Sequence, residues 1–447
     1  MWISRPVYEL LPYLYMLLGA VLLAAAWLVH ARVWPSIFLA IGALSLMAGL
    51  VLFHLLLLGL QLAGLPWTRT SVLLILGLSF LAAAVAARRV PAAEQARPSE
   101  PHDGLGWGDA VAGVALAGLT AAAVTLSSVN PDFVYHWGIK AKRFALAGGI
   151  DFAYLAHPWN HYTHPDYPHL LTGLYTATTL VAGRFDEPAL LAWTAVVFAA
   201  LLWSARQGLH LVRSRFVRQA GLAVLALGVA AFGIGYLQPG GADLLIALAL
   251  LAAVRPLAGP TAPGPDLTVA ACAAFAAASK IEGVPLAAIL LAVYGGKLWR
   301  DRRLAPGTAA RVVLPTLLVV APWLWLNLRY DLFQPTNAGL PDWSRVAPVA
   351  RALAESFAKP EWHALSWLVL TAPLLLLSRP VRLSALVVLL QGGFYAYVYL
   401  SAPLDPDILV LASAPRLLLH LVPAVLLAWL VVLGRAADRP PGSEGRI

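Results

Sequence analysis

The chain reads as an all-helical, polytopic membrane bundle, and three observations carry that reading. Of its 447 residues, 60% are hydrophobic and only 12% are charged, with a mean hydropathy of +0.76. Soluble domains average roughly 45–50% apolar and about 25% charged residues. Apolar runs recur at lengths near the about 20 residues that a bilayer core requires. Helices are the element that fits, because a backbone facing lipid must satisfy its own hydrogen bonds.

The elements follow in order. Runs that meet or nearly meet a spanning length are 8–29, 35–63, 71–87, 109–128, 187–209, 219–236, 309–327, 363–378, 382–400 and 415–434. Shorter runs at 243–255, 267–279 and 283–296 read as compact or broken spans. The first run has no charged leader and no small-residue cleavage signal, so it reads as a retained helix. Residues 90–108, rich in Pro, Ala and charge, form a linker between an N-terminal three-helix segment (1–89) and the module 109–435; a tail follows at 436–447. The single Cys272 excludes a disulfide framework.

A net charge of +9 raises nucleic acid as a partner, but the distribution of the charge argues for a membrane. Basic residues gather in short connectors: Arg88 and Arg89, Arg206 to Arg218, Lys297 to Arg303, Arg379 with Arg382, and Arg435 with Arg439. This is the positive-inside pattern. All these clusters share one face if the short, Thr-rich stretch 168–183 does not cross. It is therefore read as interfacial or re-entrant, giving about 13 spans with the N-terminus outside and the C-terminus inside.

That topology gathers the polar features on the outer side. The most telling is the stretch 130–169, which holds five of the eleven histidines. If 132–146 is helical, Asp132, His136 and Lys140 fall at i, i+4 and i+8 on one face. Asn130 is then the N-cap and Pro131 lies in the first turn, so the helix dipole holds Asp132 ionised, as a general base requires. The plainer alternative is that Asp132 helps cap and Lys140 snorkels to the interface.

In His164-Pro-Asp-Tyr-Pro-His169, two prolines stiffen a segment that carries imidazoles, a carboxylate (Asp166) and a phenol (Tyr167). His157, His161 and His164 have a spacing compatible with a divalent metal, although the chain has no HExxH-type motif. Asp243 opens an apolar run. Lys280 and Glu282 interrupt 267–296, and charges within spans mark function by default; the alternative is an ion pair that ties a helical hairpin. Arg416 and His420, one turn apart, could grip a phosphate or serve as interfacial anchors.

These pieces, in this order, resemble the GT-C membrane glycosyltransferases, the superfamily of protein mannosyltransferases and aminoarabinose transferases. They are DFVYHWGIKAKRF from Asp132, HPDYPHLLTGLY from His164, GGADLLIALALLAAV around Asp243, SKIEGVPLA from Lys280 and APRLLLHLVPA with Arg416. The likeness covers about residues 110–435. Three predicted spans precede the span that leads into the polar loop, where the family pattern has one, and Asp132 lacks an adjacent acidic partner.

The resemblance implies a polyprenyl-phosphate-linked sugar donor, a lipid, glycan or protein acceptor, and a site outside the plasma membrane. Asp132 would be the general base. His136, His164, Asp166, Tyr167, Asp243 and Glu282 would bind the sugars, and Lys140, Lys280, Arg416 and His420 the lipid phosphate. No Walker motif and no GxGxxG after a strand is present, which argues against nucleotide use. The rival readings are a transporter or flippase of a lipid-linked or anionic substrate, with Lys280, Glu282 and Asp243 as its site, and a surface-polysaccharide polymerase or ligase.

Overall fold

The computed structural model describes residues 37–88, 105–125, 131–235, 240–333, 339–358, 365 and 367–437. The run 8–29, most of the linker, Asn130 and the tail beyond 437 lie outside the described residues. Every regular element among the described residues is helical: α1 (Ile37–Leu62), α2 (Arg69–Arg88), α3 (Trp107–Thr125), a π-helical turn (Phe133–Gly138) continuing into α4 (Ile139–Ala147), α5 (Phe152–Leu155), α6 (Leu170–Ala182), α7 (Glu187–Leu209), α8 (Arg215–Gly235), α9 (Asp243–Ala258), α10 (Pro263–Ser279), α11 (Gly283–Arg300), α12 (Pro306–Arg329), α13 (Val346–Ala358), α14 (Ala372–Leu375), α15 (Arg382–Ser401) and α16 (Pro406–Ala437).

Six of these are long and apolar enough to cross a membrane: α1 over Ala43–Leu62, α3, α7, α12, α15 and α16 over Pro406–Arg435. At the centre stand α9 and α10. α9 packs on α16, α10 and α7, while α10 packs on α11, α12, α9 and α1. From Ala270 to Ala278, α10 is almost wholly alanine and buried on every side. In lipid no hydrophobic force drives helices together, so small residues that let backbones approach supply the packing instead.

The chain zigzags through this core. α9 starts at Asp243, α10 returns and ends at Ser279, and α11 starts again at Gly283. One end of the bundle therefore collects Asp243, Lys280 and Glu282, and the other collects the α9–α10 and α11–α12 connectors. The turn between α10 and α11 is tight. Lys280 takes an extended backbone (φ −160°, ψ 159°), and Gly283 N–H donates to the Lys280 carbonyl at 2.9 Å. A Cβ on Gly283 would sit 1.9 Å from the Ala276 carbonyl oxygen, so only glycine fits there.

Two expected elements take a different form. The run 363–378 is not one helix. Its described residues include a 3-10 turn at Leu368–Thr371 and then the single turn α14, because Pro373 cannot continue the helix that precedes it. Within 168–183, α6 (Leu170–Ala182) is only 13 residues long and buried on nearly all sides, so it is packed into the bundle; this replaces the interfacial placement and leaves the re-entrant one. α1 belongs to the same packed body: Ile150 N–H donates to Gln61 Oε1 at 2.8 Å, and in the connector after α1 the Trp67 N–H donates to the Gly148 carbonyl at 2.7 Å.

Candidate functional site

Charged side chains from four separated segments meet at the end of the bundle where α9 begins. Arg416, on α16, lies between two carboxylates. Its Nη1 donates to Asp132 Oδ1 at 3.1 Å, its Nη2 pairs with Asp132 Oδ2, and its Nε donates to Asp243 Oδ2 at 3.1 Å. Lys280 Nζ donates to Asp243 Oδ1 at 2.9 Å and pairs with Glu282 Oε1 at 3.1 Å. His420, one turn along α16 from Arg416, places Nε2 3.0 Å from Asp243 Oδ1 and Nδ1 2.6 Å from the Tyr395 hydroxyl. The bonds close a network of three carboxylates and two cations, which is how charge inside an apolar bundle is tolerated.

Burial is graded across the network. Asp243 and Lys280 have side chains 2% and 3% exposed and form its floor. Arg416 at 25%, His136 at 21%, Glu282 at 18% and Asp132 at 11% form its open face. These four are the most exposed members of the network.

Beside this face lies an aromatic stack. The His164 ring centroid is 4.6 Å from His136 and 4.5 Å from Tyr167. His136 Nε2 lies 3.7 Å from Asp132 Oδ1. Lys140 is fully buried, donates to the His164 carbonyl at 3.0 Å, and sits over the Trp137 ring at 4.9 Å. His164 itself adopts a left-handed backbone, φ 50°, uncommon for a residue other than glycine. Burial pushes the Lys140 ammonium down to about 7, against the pull of Asp166 and Asp132. Burial also lowers His136 to about 4, opposed by Asp132, so its imidazole is neutral at pH 7. The buried His136 Nδ1, His164 Nδ1 and Glu282 Oε2 have no hydrogen-bond partner among the described residues.

The local fold explains these positions. Residues 133–138 take π-helical rather than α-helical winding, which is common at functional sites. A Cβ on Gly138 would lie 2.7 Å from the Phe133 carbonyl oxygen, so glycine permits this winding. Asp132 and His136 stay adjacent, but Lys140 turns to His164 instead of completing a shared face. Asp132 makes no capping hydrogen bond with its side chain, and its counter-charge is Arg416 rather than a helix end.

Among the residues expected from sequence, Asp132, Asp243, Lys280, Glu282, Arg416 and His420 join directly, with His136, His164, Tyr167 and Lys140 alongside. Asp166 is buried nearby, and its carbonyl accepts from Trp323 Nε1 at 2.8 Å. The three-histidine metal spacing is not realised. His157 and His161 are exposed, the Nδ1 of His157 serves as a cap acceptor, and no described group of three His, Cys, Asp or Glu could hold an ion. No family model, curated protein or solved structure matches the chain.

Sequence reasoning missed Tyr395, Trp323 and Gln391, which donates to the Glu282 carbonyl at 3.1 Å. A polar Gln391 within the apolar run 382–400 was a usable signal. Tyr395 and Trp323 gave none, since aromatic residues are ordinary in such runs.

Proposed function

We propose that this protein is an integral-membrane glycosyltransferase of the GT-C kind, which moves a sugar from a polyprenyl-phosphate donor to an acceptor hydroxyl. The observation that carries the proposal is the clamp Asp132–Arg416–Asp243, which spans 284 residues of sequence and presents a guanidinium and a carboxylate together at the open face. Arginine matches a phosphate in bidentate fashion, and a carboxylate beside it can take a proton.

The chemistry balances on these groups. The acceptor oxygen forms a bond to C1 of the sugar while Asp132 takes its proton. The bond from C1 to the phosphate oxygen breaks, and the polyprenyl phosphate leaves with the electron pair. Arg416, Lys280 and Lys140 offset the charge that develops on the leaving group. His136, His164, Tyr167 and Glu282 hold the sugars.

The pairing of Asp132 with Arg416 adds an order of events. With both oxygens held by the guanidinium, the carboxylate is not open to an acceptor hydroxyl. A donor phosphate competes for the same guanidinium and frees Asp132, so the donor binds before the acceptor reacts. In this reading the bundle has about 13 spans in the plasma membrane, with the site on the outer side and the basic connectors inside.

The second reading, transport of an anionic or lipid-linked substrate, is favoured by the depth of Lys280 and Asp243. The test uses the full chain in nanodiscs with a polyprenyl-phosphate sugar and measures release of polyprenyl phosphate. Turnover that vanishes in Asp132→Asn while donor binding persists supports the enzyme. Donor movement across vesicles that survives Asp132→Asn and fails in Lys280→Gln supports the transporter.

A further inference from the structure

A second feature lies at the opposite end of the bundle, where α11 ends and α15 begins. A groove of about 360 Å³ runs between these helices, lined by Ala292, Val293, Gly296, Lys297, Arg300, Leu383 and Leu386. The helices are antiparallel neighbours. On α11 the lining residues Val293, Gly296, Lys297 and Arg300 follow the i, i+3, i+4, i+7 pattern of one face, and on α15 Arg382 lies one turn before Leu386 on the same face. The trough is thus apolar along its length and basic at its mouth.

Three facts give the mouth a preference for anions. Arg300 is 67% exposed, and its ion pair is with its neighbour Asp301 at 3.3 Å, an arrangement worth little in water. Arg382 sits in the first turn of α15, where the helix dipole disfavours a cation, and its Nε is steered by a 2.7 Å bond to the Leu376 carbonyl. That helix start has no side-chain cap and no acid in its first turn, and a helix N-terminus favours anions. Lys297 is not available, because its Nζ donates to the carbonyls of Pro256, Leu257 and Gly259 and closes the end of α9. Arg302, Arg303 and Arg379 lie in the same connectors, against the acids Asp266 and Asp301.

We propose that the groove between α11 and α15 binds an anionic phospholipid, with its phosphate at Arg300, Arg382 and the start of α15 and an acyl chain along Gly296, Val293 and Leu386. A free phosphate would use the mouth alone and leave the apolar wall without a role. The site is about 20 Å or more from Arg416 along the bundle, since α15 and α11 each run their full length between the two ends. The proposal does not depend on the reaction assigned to the other end.

The test is native mass spectrometry of the full chain with added phosphatidylglycerol or phosphatidylcholine. Wild-type protein should retain one phosphatidylglycerol in preference to phosphatidylcholine. Each basic residue near a membrane phosphate is worth a factor of about five, so Arg300→Gln with Arg382→Gln should cut the preference by about 25-fold. Gly296→Leu adds bulk to the trough at a position where nothing lies within 4 Å of an added Cβ, and should abolish retention of the lipid with both arginines in place. Equal retention of the two lipids by wild type, unchanged retention by Gly296→Leu, or displacement of the lipid by inorganic phosphate alone would each overturn the groove as the site.

Discussion

Arg416 sits between two carboxylates whose surroundings differ, and the difference predicts different mutant behaviour. Asp243 is the more deeply buried and answers to Lys280, Arg416 and His420; Asp132 lies nearer the open face and answers mainly to Arg416. Asp243→Asn leaves buried cations short of a partner, which typically costs about 3–5 kcal/mol, so thermal melting in detergent should drop steeply. Asp132→Asn keeps the shape and should melt near wild type while sugar transfer falls by at least about 10²–10⁴-fold. Near-normal transfer by purified Asp132→Asn would remove it as the base.

Lys140 supplies a pH test at the same scale. With its ammonium held near 7, it is charged below that value and neutral above it. In the proposed transfer, its hold on a phosphate is present in acid and lost as pH rises through 7. The donor KM should climb by up to about tenfold from pH 6 to pH 8, and Lys140→Gln should flatten that climb. A slope that survives in Lys140→Gln assigns the titration to another group. The charged members of the site were legible from sequence because a charge in an apolar run is expensive and needs a reason. Tyr395 and Trp323 were not, since their polar tips matter only once tertiary contacts bring His420 and the Asp166 carbonyl to them.

Among the elements, two turns decide whether the site assembles. The π-helical turn 133–138 places Asp132 and His136 together, and Gly138 is its permissive residue. Gly138→Ala forces the added methyl against the Phe133 carbonyl and should cost about 1–3 kcal/mol, as overpacking does, with a larger proportional loss of transfer than of melting temperature. Transfer and melting that both stay at wild-type level would show that the winding is not needed. Helix existence was well marked by apolar runs, and α7, α12 and α15 start and stop close to them. Winding was not marked, because π and α turns share the same residues and differ only in which carbonyl each N–H finds. The break at Pro373 was visible in sequence but was outweighed by the leucines that follow it.

The whole molecule has two chemically distinct ends, and their separation across a membrane is the broadest claim to be tested. The zigzag of α9, α10, α11 and α12 places Asp243, Lys280 and Glu282 at one end and Lys297 to Arg303 at the other. Asp342 belongs to the first end: its N–H donates to the Leu400 carbonyl at 3.0 Å, at the far terminus of the helix that begins with Arg382. The native Cys272 is buried and does not compete for label. In intact cells a membrane-impermeant maleimide should label Asp342→Cys and should reach Arg302→Cys only after permeabilisation. Both positions are exposed, so accessibility within the protein does not confound the result. Labelling of both in intact cells would reject the orientation and with it an outward-facing transfer site. Labelling of Arg302→Cys alone would keep the two-ended bundle but turn it over. The clamp would then face the compartment that holds nucleotide sugars, and a lipid-linked donor would lose its advantage as the substrate.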